Sequence, residues 1–205
     1  MMKLYGVRGW GSAITEAMLA LVGQSYEFVD VEGFDRPGEA QERLARVNPL
    51  RQVPVLVLED GDILTESAAI ALWLAEQHPE LAPSRDTAEH RRFLRWLIWL
   101  VANVYPTFTY GDVPDRWCPS APDELKETTD AYRKRLYRQL EAEITGPYLL
   151  GEQPSALDCY AAAMVGWWPG TPWFEANTPK FYAAAMLMRR HPQLAEVMAA
   201  NKQTG

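Results

Sequence analysis

The pattern of apolar and polar positions changes character partway along the chain. Residues 3–7 read as a short strand. Residues 12–23 read as a helix whose apolar set is Ile14, Met18, Leu19, Leu21 and Val22, closed by Gly23. Residues 26–31 are β-rich with alternation, residues 39–47 form a short helix ending before Asn48-Pro49, and residues 53–58 are a near-continuous apolar strand. Asp60-Gly61 supplies a hairpin turn, residues 62–64 its return strand, and residues 66–77 a helix carrying Ile70, Leu72, Trp73 and Leu74. The order β-α-β-α-β-β-α predicts an α/β unit on a four-stranded mixed sheet, with right-handed crossovers in its βα units.

Beyond His78-Pro79 the strand signals stop. Residues 79–86 read as a linker between an α/β domain (1–78) and an all-helical domain (87–205). Asp86-Thr87-Ala88-Glu89 is a capping sequence opening a long helix with Phe93, Trp96, Leu97, Trp99 and Leu100, which Pro106 and Pro114 should bend or end. Further helices are expected at 122–144, 155–168, 179–190 and 192–201, with no internal repeat.

Composition narrows the function classes. With 205 residues, 48% hydrophobic and 8 Trp, the chain has apolar mass for a sizeable core, which excludes a disordered or collagen-like protein. Lys+Arg 20 against Asp+Glu 27 gives a net charge of −7, which argues against a nucleic-acid partner. Cys118 and Cys159 form neither a disulfide framework, a CxxC pair nor a four-ligand zinc site. His78, His90 and His191 lack metal-ligand spacing, so no metal is expected, and no glycine-rich phosphate loop occurs. Without a long apolar run or a signal-peptide core, the expectation is a soluble, cytoplasmic protein with no membrane partner. Arg133-Lys134-Arg135 and Arg138 make a basic helical turn expected to be solvated or dimer-facing. Ser155 and Asp158 look like a hydroxyl–carboxylate pair, but a reciprocal helix cap explains them better.

Three segments carry a resemblance. Asn48-Pro49-Leu50-Arg51-Gln52-Val53-Pro54-Val55-Leu56 resembles a run entering a third strand with a cis-proline. Leu64-Thr65-Glu66-Ser67-Ala68-Ala69-Ile70 resembles a Glu/Gln-Ser start of a third helix. Tyr148-Leu149-Leu150-Gly151 followed by Ser155-Ala156-Leu157-Asp158 resembles a buried Ser/Thr-x-x-Asp capping box. In this order and at these separations, the three make the chain resemble the soluble glutathione S-transferases over nearly its whole length, the bacterial serine and cysteine types in particular. The resemblance implies a thioredoxin-like domain followed by a helical bundle, glutathione as cosubstrate and a homodimer.

Glutathione has two carboxylates, an ammonium and a thiol. A helix N-terminus favours a carboxylate, so Ser67 is the candidate for the γ-glutamyl carboxylate and Glu66 for the neighbouring ammonium, although Thr65 or Ser67 also reads as an ordinary cap. A cis Pro54 would leave the backbone of Val53 open to pair with the cysteinyl unit like an added strand; a proline also suits the first residue of a buried strand. Gln52 is a candidate for the glycyl end.

The thiol needs a group that stabilises its anion. The family places Tyr, Ser or Cys near the end of the first strand or the start of the first helix, here Tyr5-Gly6-Val7-Arg8-Gly9-Trp10-Gly11-Ser12-Ala13. Ser12 is in register for the catalytic role, yet also reads as a plain N-cap, and Arg8, Trp10 or a backbone N–H are alternatives. Gly11 stands where cysteine-containing members carry Cys, which argues against thiol exchange, and Val7-Arg8 replaces the usual Ser-Pro. Trp96, Trp99 and Asn103 share a helical face. The resemblance puts Trp99, Asn103 and Tyr105 near the thiol and the electrophile, Trp10 is a further candidate for that pocket, and Trp96 reads as core. Conjugation of the glutathione thiolate to a hydrophobic electrophile is the leading expectation. Isomerase, dehalogenase or peroxidase chemistry, and a catalytically silent carrier or interaction module, are the alternatives.

Overall fold

The computed structural model of the chain describes residues 1–202. Its sheet has the strand order β2-β1-β3-β4. The strands are β1 (Met2–Gly6), β2 (Tyr26–Asp30), β3 (Val55–Val57) and β4 (Ile63–Leu64). β1 runs parallel to β2 and antiparallel to β3, which pairs antiparallel with β4. Strand side chains alternate between faces, and that alternation divides the sheet. Leu4 and Leu56 enter the main core beneath α1 (Ser12–Leu21) and α3 (Ser67–Gln77). Tyr5 and Val55 join a smaller cluster with Leu44 of α2 (Glu39–Ala45). The expected strand over 53–58 shortens to three residues, because Pro54 has no N–H to give a ladder.

The remaining elements are helical: α4 (Ala88–Trp99), α5 (Tyr105–Gly111), α6 (Pro114–Trp117), α7 (Pro122–Glu143), α8 (Ala156–Met164), α9 (Thr171–Asn177), α10 (Pro179–Arg189) and α11 (Ala195–Ala200). Thr87 caps α4 by accepting from the His90 N–H at 3.1 Å. The long helix does not break at Pro106. A π turn over Leu100–Val104 widens the chain first, and α5 then takes Pro106 into its opening turn, where a missing N–H does no harm. One added residue turns everything after it by about 100° around the axis.

The expected helix over 155–168 stops at Met164. Pro169 cannot continue it, and Gly170, at φ 95°, leads instead into α9, which the sequence pattern did not reveal. The expected linker is partly built, since Leu81 is fully buried within a 3-10 turn. A single apolar core runs through both parts: α1 packs on α3, α8 and α11, and every residue of α8 is buried.

The basic turn of α7 is not uniformly solvated, as was expected. Arg133 is buried, its side chain only 2% exposed. It donates to Thr107 Oγ1 at 2.8 Å and to the Thr107 carbonyl at 2.6 Å, and lies 3.9 Å from the Phe108 ring centre. Lys134 pairs with Asp130 at 2.7 Å and Arg138 donates to Asn177 at 3.0 Å.

Candidate active site

A cleft of about 310 Å³ opens where the carboxyl end of the sheet faces α5. The loop before β3 forms one wall. Asn48 shapes it, its amide donating to the Gln52 carbonyl at 2.9 Å and its Oδ1 accepting from the Leu50 N–H at 3.1 Å. Arg51 takes a left-handed φ of 54°, and the Val53–Pro54 bond is cis, as the motif implied. Among the described residues neither the N–H nor the C=O of Val53 has a hydrogen-bond partner, and Gln52, Val53 and Pro54 all line the cleft. Such a segment can accept one more extended chain.

Glu66 and Ser67 form the adjoining wall. Glu66 holds φ 65°, a region that non-glycine residues seldom occupy outside functional sites, and no side chain caps the start of α3. The helix therefore presents open N–H groups there, suited to an anion. The buried Tyr160 of α8 donates its O–H to Ser67 Oγ at 2.8 Å. That bond occupies a lone pair of the serine and leaves its own proton available to a ligand.

The corner between β1 and α1 differs from the expectation. Ser12 is fully buried and does not line the cleft. Its hydroxyl accepts from the Val7 N–H at 3.0 Å and donates to the Val7 carbonyl at 2.7 Å, closing the strand-to-helix turn. In this structure the candidate catalytic hydroxyl is engaged within its own turn. Gly6 makes room for it, since a Cβ there would lie 2.4 Å from Ser12 Cβ. Ser12→Ala should cost about 1–2 kcal/mol in urea unfolding, because the Val7 N–H and C=O lose their shared partner.

Arg8 is also turned away, pairing with the buried Glu16 and stacking on Phe28. Glu16 further accepts from Tyr26 at 2.8 Å and Asn201 at 2.9 Å. Asn201 in turn accepts the Gly9 N–H at 2.7 Å, and Trp167 donates to the Gly9 carbonyl at 2.9 Å, so this loop is clamped from both sides. Trp10 and Gly11 do line the cleft, with Trp10 edge-on to Phe34 at 5.7 Å.

The helical wall is made by Val101, Tyr105, Pro106 and Thr109. Trp99 and Asn103 are not part of it. Trp99 packs edge-on against the buried Trp96 at 4.9 Å, and the Asn103 amide donates to the Trp99 carbonyl at 3.1 Å. The π turn lies between Trp99 and Tyr105, and it is Tyr105, Pro106 and Thr109 of the segment after it that face the cleft. Asn48, Phe34, Val101, Pro106 and Thr109 line the cleft without having been singled out as site residues. Asn48 was within reach, as the first residue of the strand-entry motif. Among the described residues, Glu66 is the one ionisable acid or base other than the Tyr105 phenol in this lining, which includes no Lys, Arg or His. Burial pushes the Tyr105 phenol well above its ordinary pKa. Among the described residues no group of three His, Cys, Asp or Glu could hold a metal, and no helix is long and apolar enough to cross a membrane.

The sheet order, the cis-proline beside an open strand segment and the appended helices define a thioredoxin-like layer carrying a helical bundle. The family profile for the glutathione S-transferase N-terminal domain matches residues 12–77. The chain is 49% identical over 203 residues to YncG, an uncharacterised GST-like protein of Escherichia coli (strain K12), covering 98% of this chain and 99% of that one. A sphingomonad glutathione S-transferase solved with glutathione is 29% identical, with a TM-score of 0.80 over 98% of each chain. The ternary complex of BphK, a bacterial GST, is 26% identical, with a TM-score of 0.83 over 98% of this chain and 99% of that one. The chain belongs to the glutathione S-transferase family.

Proposed function

We propose that this protein is a glutathione transferase that joins the glutathione sulfur to a hydrophobic electrophile held between the sheet and α5. The observation that carries the reading is the convergence on one cleft of an unpaired Val53 backbone, a cis Pro54 and the uncapped start of α3. Glutathione lies along this wall, its cysteinyl backbone paired with Val53 and its γ-glutamyl carboxylate on the Ser67 hydroxyl and N–H. Its ammonium sits by Glu66 and its glycyl end near Gln52. Trp10, Phe34, Val101 and Pro106 supply apolar surface for the second substrate. The sulfur attacks an electrophilic carbon as the leaving group departs with its bonding pair.

Retention on immobilised glutathione, followed by turnover of a chlorodinitroaromatic, tests the reading. Absence of binding sinks it, and binding without turnover of a panel of electrophiles favours a carrier. Ser67→Ala should weaken glutathione binding about tenfold by calorimetry, the value of one hydrogen bond to a charged group. We further propose a homodimer, with the exposed Leu94 and Ile98, one turn apart on α4, at its interface. Light scattering giving a monomer mass would overturn that part.

A further inference from the structure

We propose that the Tyr105 hydroxyl, reaching in from the helical part, is the group that holds the glutathione sulfur as a thiolate, and that position 11 is glycine to admit it. The inference rests on the reading of the cleft as a glutathione site. The Tyr105 hydroxyl is buried and, among the described residues, has no hydrogen-bond partner. Leaving a buried hydroxyl unpaired costs about 1–3 kcal/mol, so its retention calls for a group that pairs with it in the working state.

Its location identifies that group. A Cβ on Gly11 would lie 2.2 Å from the Tyr105 hydroxyl oxygen and 3.5 Å from the Val53 carbonyl oxygen. The phenol thus occupies the volume a side chain at the head of α1 would fill, beside the backbone that pairs with the cysteinyl unit. Gly11 has φ −56° and ψ −26°, open to any L-residue, so its backbone does not require glycine. Space does.

The ring is held for the task, edge-on to Trp167 at 5.9 Å and to Phe108 at 6.5 Å. Two of the other candidates are committed elsewhere, the Ser12 hydroxyl to Val7 and Arg8 to Glu16. Among the described residues no cationic side chain lines the cleft, so a sulfur anion there depends on neutral donors and the α1 N-terminus. The phenol's raised pKa keeps it protonated, a donor rather than a competing anion. In the step itself the thiol proton passes to solvent and the sulfur keeps the pair, accepting from the Tyr105 O–H. That pair then forms the carbon–sulfur bond, the tyrosine keeping its proton throughout.

The experiment follows the thiolate ultraviolet band of bound glutathione against pH, with binding measured separately by calorimetry, in the full chain and in Tyr105→Phe and Gly11→Ala. In the unaltered protein the bound thiol should titrate below the free value of about 8.5. Tyr105→Phe should bind glutathione within about threefold, yet move that midpoint up by one pH unit or more. Turnover at pH 7 should then fall about tenfold or more and recover toward pH 9. Gly11→Ala should shift the midpoint the same way with the tyrosine still present, because its methyl displaces the hydroxyl. Thermal melting supplies the control: Tyr105→Phe should melt no lower than the parent, since no protein hydrogen bond is lost. An unmoved midpoint with glutathione still bound overturns the role of Tyr105 and leaves the glutathione site standing. No glutathione binding by the unaltered chain overturns both.

Discussion

Asp158→Ala should lower stability by about 3–5 kcal/mol, read as a collapse of the urea midpoint or failure to fold at 37 °C. The carboxylate is fully buried at the head of α8 and accepts from the Ser155 N–H at 2.8 Å, the Ser155 hydroxyl at 3.0 Å and the Leu149 N–H at 2.8 Å. Removing it strands two buried backbone donors and undoes both the reciprocal cap and the tie to the preceding loop. Burial raises this carboxyl to about 6, outweighing the donors that pull it down. A folded-state pKa above the unfolded one means that the folded chain binds more protons between about 4 and 6. Stability from this group is therefore fully present below pH 4 and is lost as pH rises through 6. The unfolding free energy of the parent relative to Asp158→Asn should decline across that window and flatten above it. A difference independent of pH from 4 to 7 would contradict this account.

Arg133→Ala should be nearly as damaging, by about 3–4 kcal/mol, because it empties a buried volume and abandons the Thr107 hydroxyl and carbonyl. The guanidinium also reaches the Trp168 carbonyl at 3.4 Å and stands 3.7 Å from Asp112, binding α7 to α5 and to the turn before α9. Burial lowers its pKa from the ordinary arginine value while Asp112 holds it up. Arg133→Met restores most of the volume and none of the hydrogen bonds. If Met recovers more than half of the lost stability in urea unfolding, packing is the larger part of the arginine's contribution. If it recovers little, the bonds to Thr107 are.

The element order, the four-stranded mixed sheet and the segments carrying Val53, Pro54, Glu66 and Ser67 that line the cleft were legible in the sequence, while the strand order came from the structure. They rest on local signals: alternation, a proline at a strand entry, a hydroxyl at a helix start. The thiol corner was not legible. Ser12 has the residue type and register of a catalytic hydroxyl, but whether a serine faces ligand or its own turn depends on Gly6 and Val7 packing around it. Trp99 and Asn103, placed at the site by resemblance, lie outside the cleft lining while Tyr105 lies in it, and the π turn between Trp99 and Tyr105 leaves no mark in apolar periodicity. Arg133 read as surface because the groups that hold it, Thr107, Trp168 and Asp112, lie 21 to 35 residues away in sequence and leave no mark in helical spacing. The clamp on Gly9 by Asn201 and Trp167 was equally invisible, being a contact across most of the chain's length.

The π turn at Leu100–Val104 has an evolutionary consequence. A helix that carries one surplus residue can lose it in a single codon deletion without disturbing anything N-terminal to it, and the downstream segment then turns by roughly a quarter of a circle. Such an event exchanges the side chains facing the cleft all at once, with no point mutation among them. The lining of the cleft can thus change through helical phase as well as residue identity. Relatives that share every residue from Tyr105 to Thr109 but differ by one position just before them should present different walls to the same strand-entry loop.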